Sequence, residues 1–190
     1  MRTVTAGAML VLISLAAAPA GADTGPQGGM EAAPVPAEVL QTAAEPEQKA
    51  CIAQTIYHEA RGEPEEAQRA IAAVVLNRAA DPEFPDTPCD VVRQGGVEPP
   101  CQFSWWCDGR SDAPAEGDAW IRALVIADEM VENPALDPTE GATYFHNVGV
   151  SPKWSTVFDH VATIGEHAFY LDPAKEAAAP AAPDQLAQRP

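Results

Sequence analysis

Basic residues are scarce in this chain: 11 Lys and Arg stand against 28 Asp and Glu, a formal charge of -17. A protein so acidic gains no long-range attraction to nucleic acid or to anionic envelope polymers, so no nucleic-acid partner is expected and recognition has to be short-range. Metal-ligand spacing is missing too. The four cysteines, Cys51, Cys89, Cys101 and Cys107, include no Cys-x-x-Cys pair, and His58-Glu59 does not extend into HExxH because position 62 is Gly. This weakens zinc-dependent hydrolysis, for which His58, His146, His160 and His167 are the remaining raw material; no metal and no cofactor are expected. Beyond the first residues no apolar run is long enough for stable membrane insertion.

The N-terminal stretch, residues 1–22, reads as a secretory signal: Arg2 supplies the positive start, Ala8 to Ala18 is mostly apolar, and small residues around Ala20 and Ala22 offer cleavage positions. Residues 23–45 are Gly, Pro, Ala and Glu with few large apolar side chains and read as a flexible linker. A domain over 46–172 follows, then a disordered Ala- and Pro-rich tail over 173–190. An exported location, periplasmic or extracellular, is the expectation. An even number of cysteines then favours disulfides. Three pairings are possible, among them Cys89 with Cys101 and Cys51 with Cys107, and spacing does not choose between them.

The domain is organised around Cys51 to Arg78. Ile52, Ile56 and Glu59 are spaced four then three apart, so a helix here places the Glu59 carboxyl on a face with two isoleucines. Gly62 suits a left-handed stop, and Pro64, Glu65 and Glu66 suit the first turn of a second helix with Ile71, Val74 and Val75 on its apolar side. A carboxyl half withdrawn from water resists ionising and keeps a proton to donate near neutral pH. Glu63 lies four residues on, but Gly62 and Pro64 break the helix between them, so the spacing does not place both carboxylates in one cleft; Arg61 is the expected ion-pair partner of Glu63.

After the Asp81-Pro82, Phe84-Pro85 and Thr87-Pro88 breaks, Val91-Val92 and Cys101 to Trp106 are expected as a short hairpin, with Trp105 and Trp106 on opposite faces. Asp112 and Pro114 open a third long helix carried by Trp120, Ile121, Leu124, Ala127 and Val131, with Asp118, Asp128 and Glu129 as solvated charge. Gly141 to Asn147 has strand content, with Tyr144 and His146 sharing a face, and the segment ending at Tyr170 completes a small sheet.

The blocks YHEARGEPEEAQRAIAAVVLNR, FPDTPCDVV, CQFSWWCDG, GATYFHN and IGEHAFY, in this order over most of residues 50 to 170, resemble the SleB-type cell wall hydrolase family. The resemblance implies an α+β, lysozyme-like domain with about three main helices and a small antiparallel sheet. It also implies peptidoglycan glycan strands as partner and cleavage between N-acetylmuramic acid and N-acetylglucosamine. The first Glu of EARGE, Glu59, is the implied acid, with Glu63 a supporting or structural carboxylate. Gln102, Ser104 and Trp105 of QFSW are expected to line the glycan cleft through amide, hydroxyl and indole groups, and Tyr144 and Asn147 to contact substrate. The preferred mechanism is lytic transglycosylation by Glu59; hydrolysis by water and a non-catalytic wall-binding module are the alternatives.

Overall fold

The computed structural model describes residues 34–173. The expected signal segment and nearly all of the expected tail lie outside the described residues. Five α-helices precede a three-stranded antiparallel sheet: α1 Ala37–Ala43, α2 Pro46–Ala60, α3 Glu65–Ala80, α4 Pro88–Val92 and α5 Gly117–Glu132, then β1 Tyr144–Asn147, β2 Asp159–Ile164 and β3 His167–Leu171. Three of the helices are long, and the class is α+β as expected. No helix among the described residues is long and apolar enough to cross a membrane.

Part of the expected linker is helical. α1 falls within residues 23–45 and buries Val39 and Ala43 against the main core. Two apolar side chains four apart suffice to dock a short helix on an existing surface, although they could not support one alone.

α2 begins with Pro46 in its first turn and ends where Gly62, at φ 89°, takes the conformation that a side chain disfavours. Its apolar face is the expected one, with Ile52 and Ile56 fully buried. α3 departs from the expectation of a single apolar side, because Ala70 to Leu76 are all buried. Small alanines between the branched residues let α1, α2, α4 and α5 approach it from several directions.

The expected hairpin is absent. Val91 and Val92 belong to α4, where Thr87 accepts from the Asp90 N–H and Pro88 fills the first helical position. The Thr87-Pro88 pair therefore starts a helix as well as ending an extended stretch. Ser104–Cys107 is a single 3-10 turn, so strand alternation does not apply, and Trp105 and Trp106 both pack on the main core.

α5 starts at Gly117, later than the sequence suggests, because Tyr57 Oη accepts from the N–H groups of both Ala115 (2.9 Å) and Glu116 (3.0 Å) and holds the approach extended. Its buried face is Ala123, Ile126, Ala127, Met130 and Val131, whereas Ile121 is 60 % exposed. Asp128 and Glu129 are ion-paired, to Lys49 and to Arg69 (3.0 Å), and tie α5 to α2 and α3.

The disulfides are Cys51–Cys89 and Cys101–Cys107, neither of the two pairs named as one option. The first joins α2 to α4 across a sequence separation of 38. Replacing both of its cysteines with Ala should cost about 4 kcal/mol from loop-closure entropy, read as a lowered denaturation midpoint.

The sheet order is β1-β3-β2, with Tyr144 opposite Tyr170 and Asn147 opposite His167. A second apolar cluster, including Ala60, Ile71, Val74, Ala142 and Phe169, joins α3 to this sheet. Phe145 packs against both clusters.

Candidate active site

Glu59 is the next-to-last residue of α2, half-buried at its surface. Withdrawal from water dominates its environment and pushes its pKa from 4.5 up to about 7, while the Arg78 guanidinium and the indole N–H of Trp105 pull the other way. That N–H is buried and has no partner at hydrogen-bonding geometry among the described residues. The Trp105 ring is fixed by stacking on His58, with centroids 4.5 Å apart and planes 15° apart. His58 also meets the Asp112 carbonyl at 3.2 Å, so the residue beside Glu59 orients the indole.

Arg78 is the residue the sequence reading did not assign. It lies seven positions after Ile71 and four after Val74, on the apolar stripe of α3, and is 2 % exposed. A charged residue on such a stripe was the available signal. Its Nε donates to the Thr143 carbonyl at 2.7 Å, its guanidinium lies over the rings of Phe84 and Phe103 at 5.4 Å each, and Gln102, with its amide oxygen turned inward, accepts from Nη1 at 2.9 Å and Nη2 at 3.1 Å. Burial lowers its pKa to about 10, with Tyr144 and Glu59 acting in the opposite direction, so it stays charged at neutral pH.

Tyr144 stands at the start of β1, half-buried, in edge contact with Phe158 (4.6 Å) and against Trp154 (5.8 Å). Burial foremost, then Asp172, raises its pKa, and Arg78 lowers it. Its hydroxyl is thus held protonated near a guanidinium that also acts on Glu59. His146 shares the Tyr144 face, meeting Trp154 and Tyr170, while Phe145 points to the core as expected.

The expected site residues therefore divide. Glu59, Gln102 and Tyr144 are each coupled to Arg78, and Trp105 acts on Glu59. Ser104 is exposed in the same turn as Trp105. Asn147 is exposed at the far end of β1, where its side-chain oxygen accepts from the Gly149 N–H at 2.8 Å, the turn-making option. Glu63 is directed elsewhere: its Oε1 faces His167 Nδ1 at 3.3 Å and its Oε2 accepts from the Glu166 N–H at 2.8 Å. Arg61, expected to pair with Glu63, pairs with Glu116 at 3.1 Å and lies over the Tyr57 ring. The two arms separate because Gly62 turns the chain between them. A cavity of about 300 Å³ opens on another flank of α2, walled by Tyr57, Arg61, Gln68 and Arg122 among others, and Glu59 does not line it. Among the described residues no three of His, Cys, Asp and Glu converge as ligands for a metal ion.

The Cys101–Cys107 disulfide encloses Gln102 and Trp105 in one short loop. The arrangement sets a carboxyl of raised pKa near a buried cation, with the Trp105 indole, itself buried, held by the stack on His58.

Residues 62–170 match the family described as Cell Wall Hydrolase, a range that begins three positions after Glu59. The spore cortex-lytic enzyme of Bacillus subtilis (strain 168) is 36% identical over 122 residues, which are 62% of this chain and 35% of that protein. The enzyme of the same name from Oceanobacillus iheyensis is 34% identical over 121 residues, 62% of this chain and 39% of that protein. The chain thus spans little more than a third of the length of these curated relatives. Among solved structures, the catalytic domain of the Bacillus cereus SleB protein superposes with a TM-score of 0.51 at 30% identity, over 65% of this chain and 89% of that one. The catalytic domain of the germination-specific lytic transglycosylase SleB from Bacillus anthracis gives the same score and identity, over 65% and 93%.

Proposed function

This chain belongs to the cell wall hydrolase family, and from that premise we propose that it cleaves peptidoglycan glycan strands between N-acetylmuramic acid and N-acetylglucosamine by lytic transglycosylation, with Glu59 as general acid and then base. The observation that carries the reading is a carboxyl at the end of α2 whose pKa burial raises to about 7, next to a buried arginine and an unpaired indole N–H. Protonated Glu59 gives its proton to the glycosidic oxygen as the bond from that oxygen to the muramic C1 breaks. The resulting carboxylate takes the proton of the muramic 6-hydroxyl as that oxygen closes on C1, forming the anhydro ring and restoring the acid. Arg78 stabilises the carboxylate between the two steps without forming an ion pair that would keep it ionised beforehand. Tyr144 supplies a ring face and Gln102 an amide for the sugars, whereas Trp105, expected to line the cleft, is buried against His58 and acts on Glu59 instead.

A single carboxyl is enough for this sequence of steps, whereas many glycosidases use two. The groups that act on Glu59 are Arg78 and Trp105; Glu63 is not among them, its Oε2 accepting from the Glu166 N–H and its Oε1 turned toward His167. Digestion of purified peptidoglycan followed by mass spectrometry tests the reading. Anhydro-muramic ends are the expected product; reducing ends would replace transglycosylation with hydrolysis, and no soluble product would defeat both. The rate should also have a descending limb in kcat/KM centred near pH 7, as the acid is lost with rising pH.

A further inference from the structure

Glu63 is withdrawn from water with a side-chain exposure of 14%, and its N–H, its carbonyl and its Oε2 are hydrogen-bonded, while Oε1 lies 3.3 Å from His167 Nδ1 without hydrogen-bond geometry. Its N–H donates to the Ala60 carbonyl at 3.1 Å, its carbonyl accepts from Gln68 Nε2 at 2.8 Å, and its carboxylate reaches the Glu166 N–H and His167. The first two contacts fix the turn that follows Glu59. The last two reach the tight turn between β2 and β3, so the side chain fastens the end of α2 to the sheet. β3 is hydrogen-bonded to β1 along Tyr144 to Asn147, and His167 meets Phe145 edge-on at 5.4 Å. One carboxylate thus links the helix carrying Glu59 to the strand carrying Tyr144.

The β2–β3 turn is built to receive it. Gly165 has a φ of 60°, and a Cβ there would lie 2.0 Å from Glu63 Oε2 and 2.8 Å from the Ala67 Cβ. Only a residue without a side chain lets the carboxylate sit against this backbone.

We infer that Glu63 is a positioning residue, which sets the separation of Glu59 from Tyr144 by clasping the β2–β3 turn, and that Gly165 is the other half of the clasp. This deepens the proposed function and rests on it. The role requires an acceptor for the Glu166 N–H and does not require a proton to be exchanged with substrate.

The test compares Glu63→Gln, Glu63→Ala and Gly165→Ala in initial rates on solubilised glycan strands over a range of concentrations, with thermal unfolding run in parallel. The Gln amide oxygen can still accept from Glu166, so Glu63→Gln should recover the rate to within about threefold. Glu63→Ala and Gly165→Ala should each lose about 100-fold in kcat, the scale of a small misplacement of a reacting group, with KM little changed. If Glu63→Ala does not fold, Glu63→Gln decides alone: retention of rate supports the clasp. A Gln variant that loses as much as 100-fold while folded would overturn it in favour of a carboxylate that takes part in the chemistry, and full rates in both Ala variants would overturn it too. Glu59→Gln assayed alongside keeps the two readings apart, since an active Glu59→Gln protein defeats the proposed function whatever the Glu63 series gives.

Discussion

Glu59→Gln is expected to lower turnover on peptidoglycan by about a thousandfold or more, within the range that a lost general acid and base commonly costs, while the protein stays folded and binds glycan. The amide matches the carboxyl in shape but has no proton to give and cannot take one back. A wall-binding module would behave in the opposite way, with the substitution leaving every measurable effect intact. The same variant carries a second expectation. Burial raises the Glu59 pKa from 4.5 to about 7, so the folded chain holds this proton more tightly than the unfolded one. That contribution to stability is complete below about pH 4.5 and is lost as pH rises through about 7. Glu59→Gln cannot ionise, and its melting temperature should fall less across that interval than that of the wild type. A normal rate in Glu59→Gln, or an unaltered pH dependence of stability, would remove Glu59 from the centre of the reaction.

Arg78→Met should lower stability by about 3 kcal/mol or more, because it leaves the buried Thr143 carbonyl without its donor and removes the partner of Gln102. Denaturant unfolding measures the loss. The methionine roughly fills the volume between Phe84 and Phe103, so cavity formation contributes little. Without the guanidinium the larger of the two influences that lower the Glu59 pKa is gone, and the descending limb of the rate profile should move above pH 7. The residual rate should fall as well, because the carboxylate formed after proton donation loses its nearby cation. Arg78→Lys should not restore wild-type behaviour, since one ammonium cannot serve a carbonyl, an amide and two ring faces from a single point. A limb that stays near pH 7 in both variants would mean that Arg78 does not act on Glu59.

How much of this was legible in the sequence depends on the range over which each residue's conformation is decided. The Glu59 position could be read because helical periodicity, Gly62 and Pro64 are local signals that agree. Strand β1 could be read for the same reason. α4 was misjudged because Thr87-Pro88 carries two meanings, a break in extended chain and a capped helix start, and only the hydrogen bond with Asp90 distinguishes them. The start of α5 was misplaced because a hydroxyl 58 positions away, on Tyr57, captures the backbone that would otherwise have begun the helix. Arg61 and Glu63 are near in sequence but part at a glycine, and each finds its partner more than 50 residues on. Arg78 was visible as a charge on an apolar stripe, but what it holds, Thr143 and Gln102, is brought together only by tertiary packing.

The covalent bond between Cys101 and Cys107 has a consequence for where this protein can work. It closes a ring of the chain around Gln102 and Trp105, so a molecule kept among reduced thiols would retain Glu59 on its helix while losing the tether on the segment that brings the indole to it.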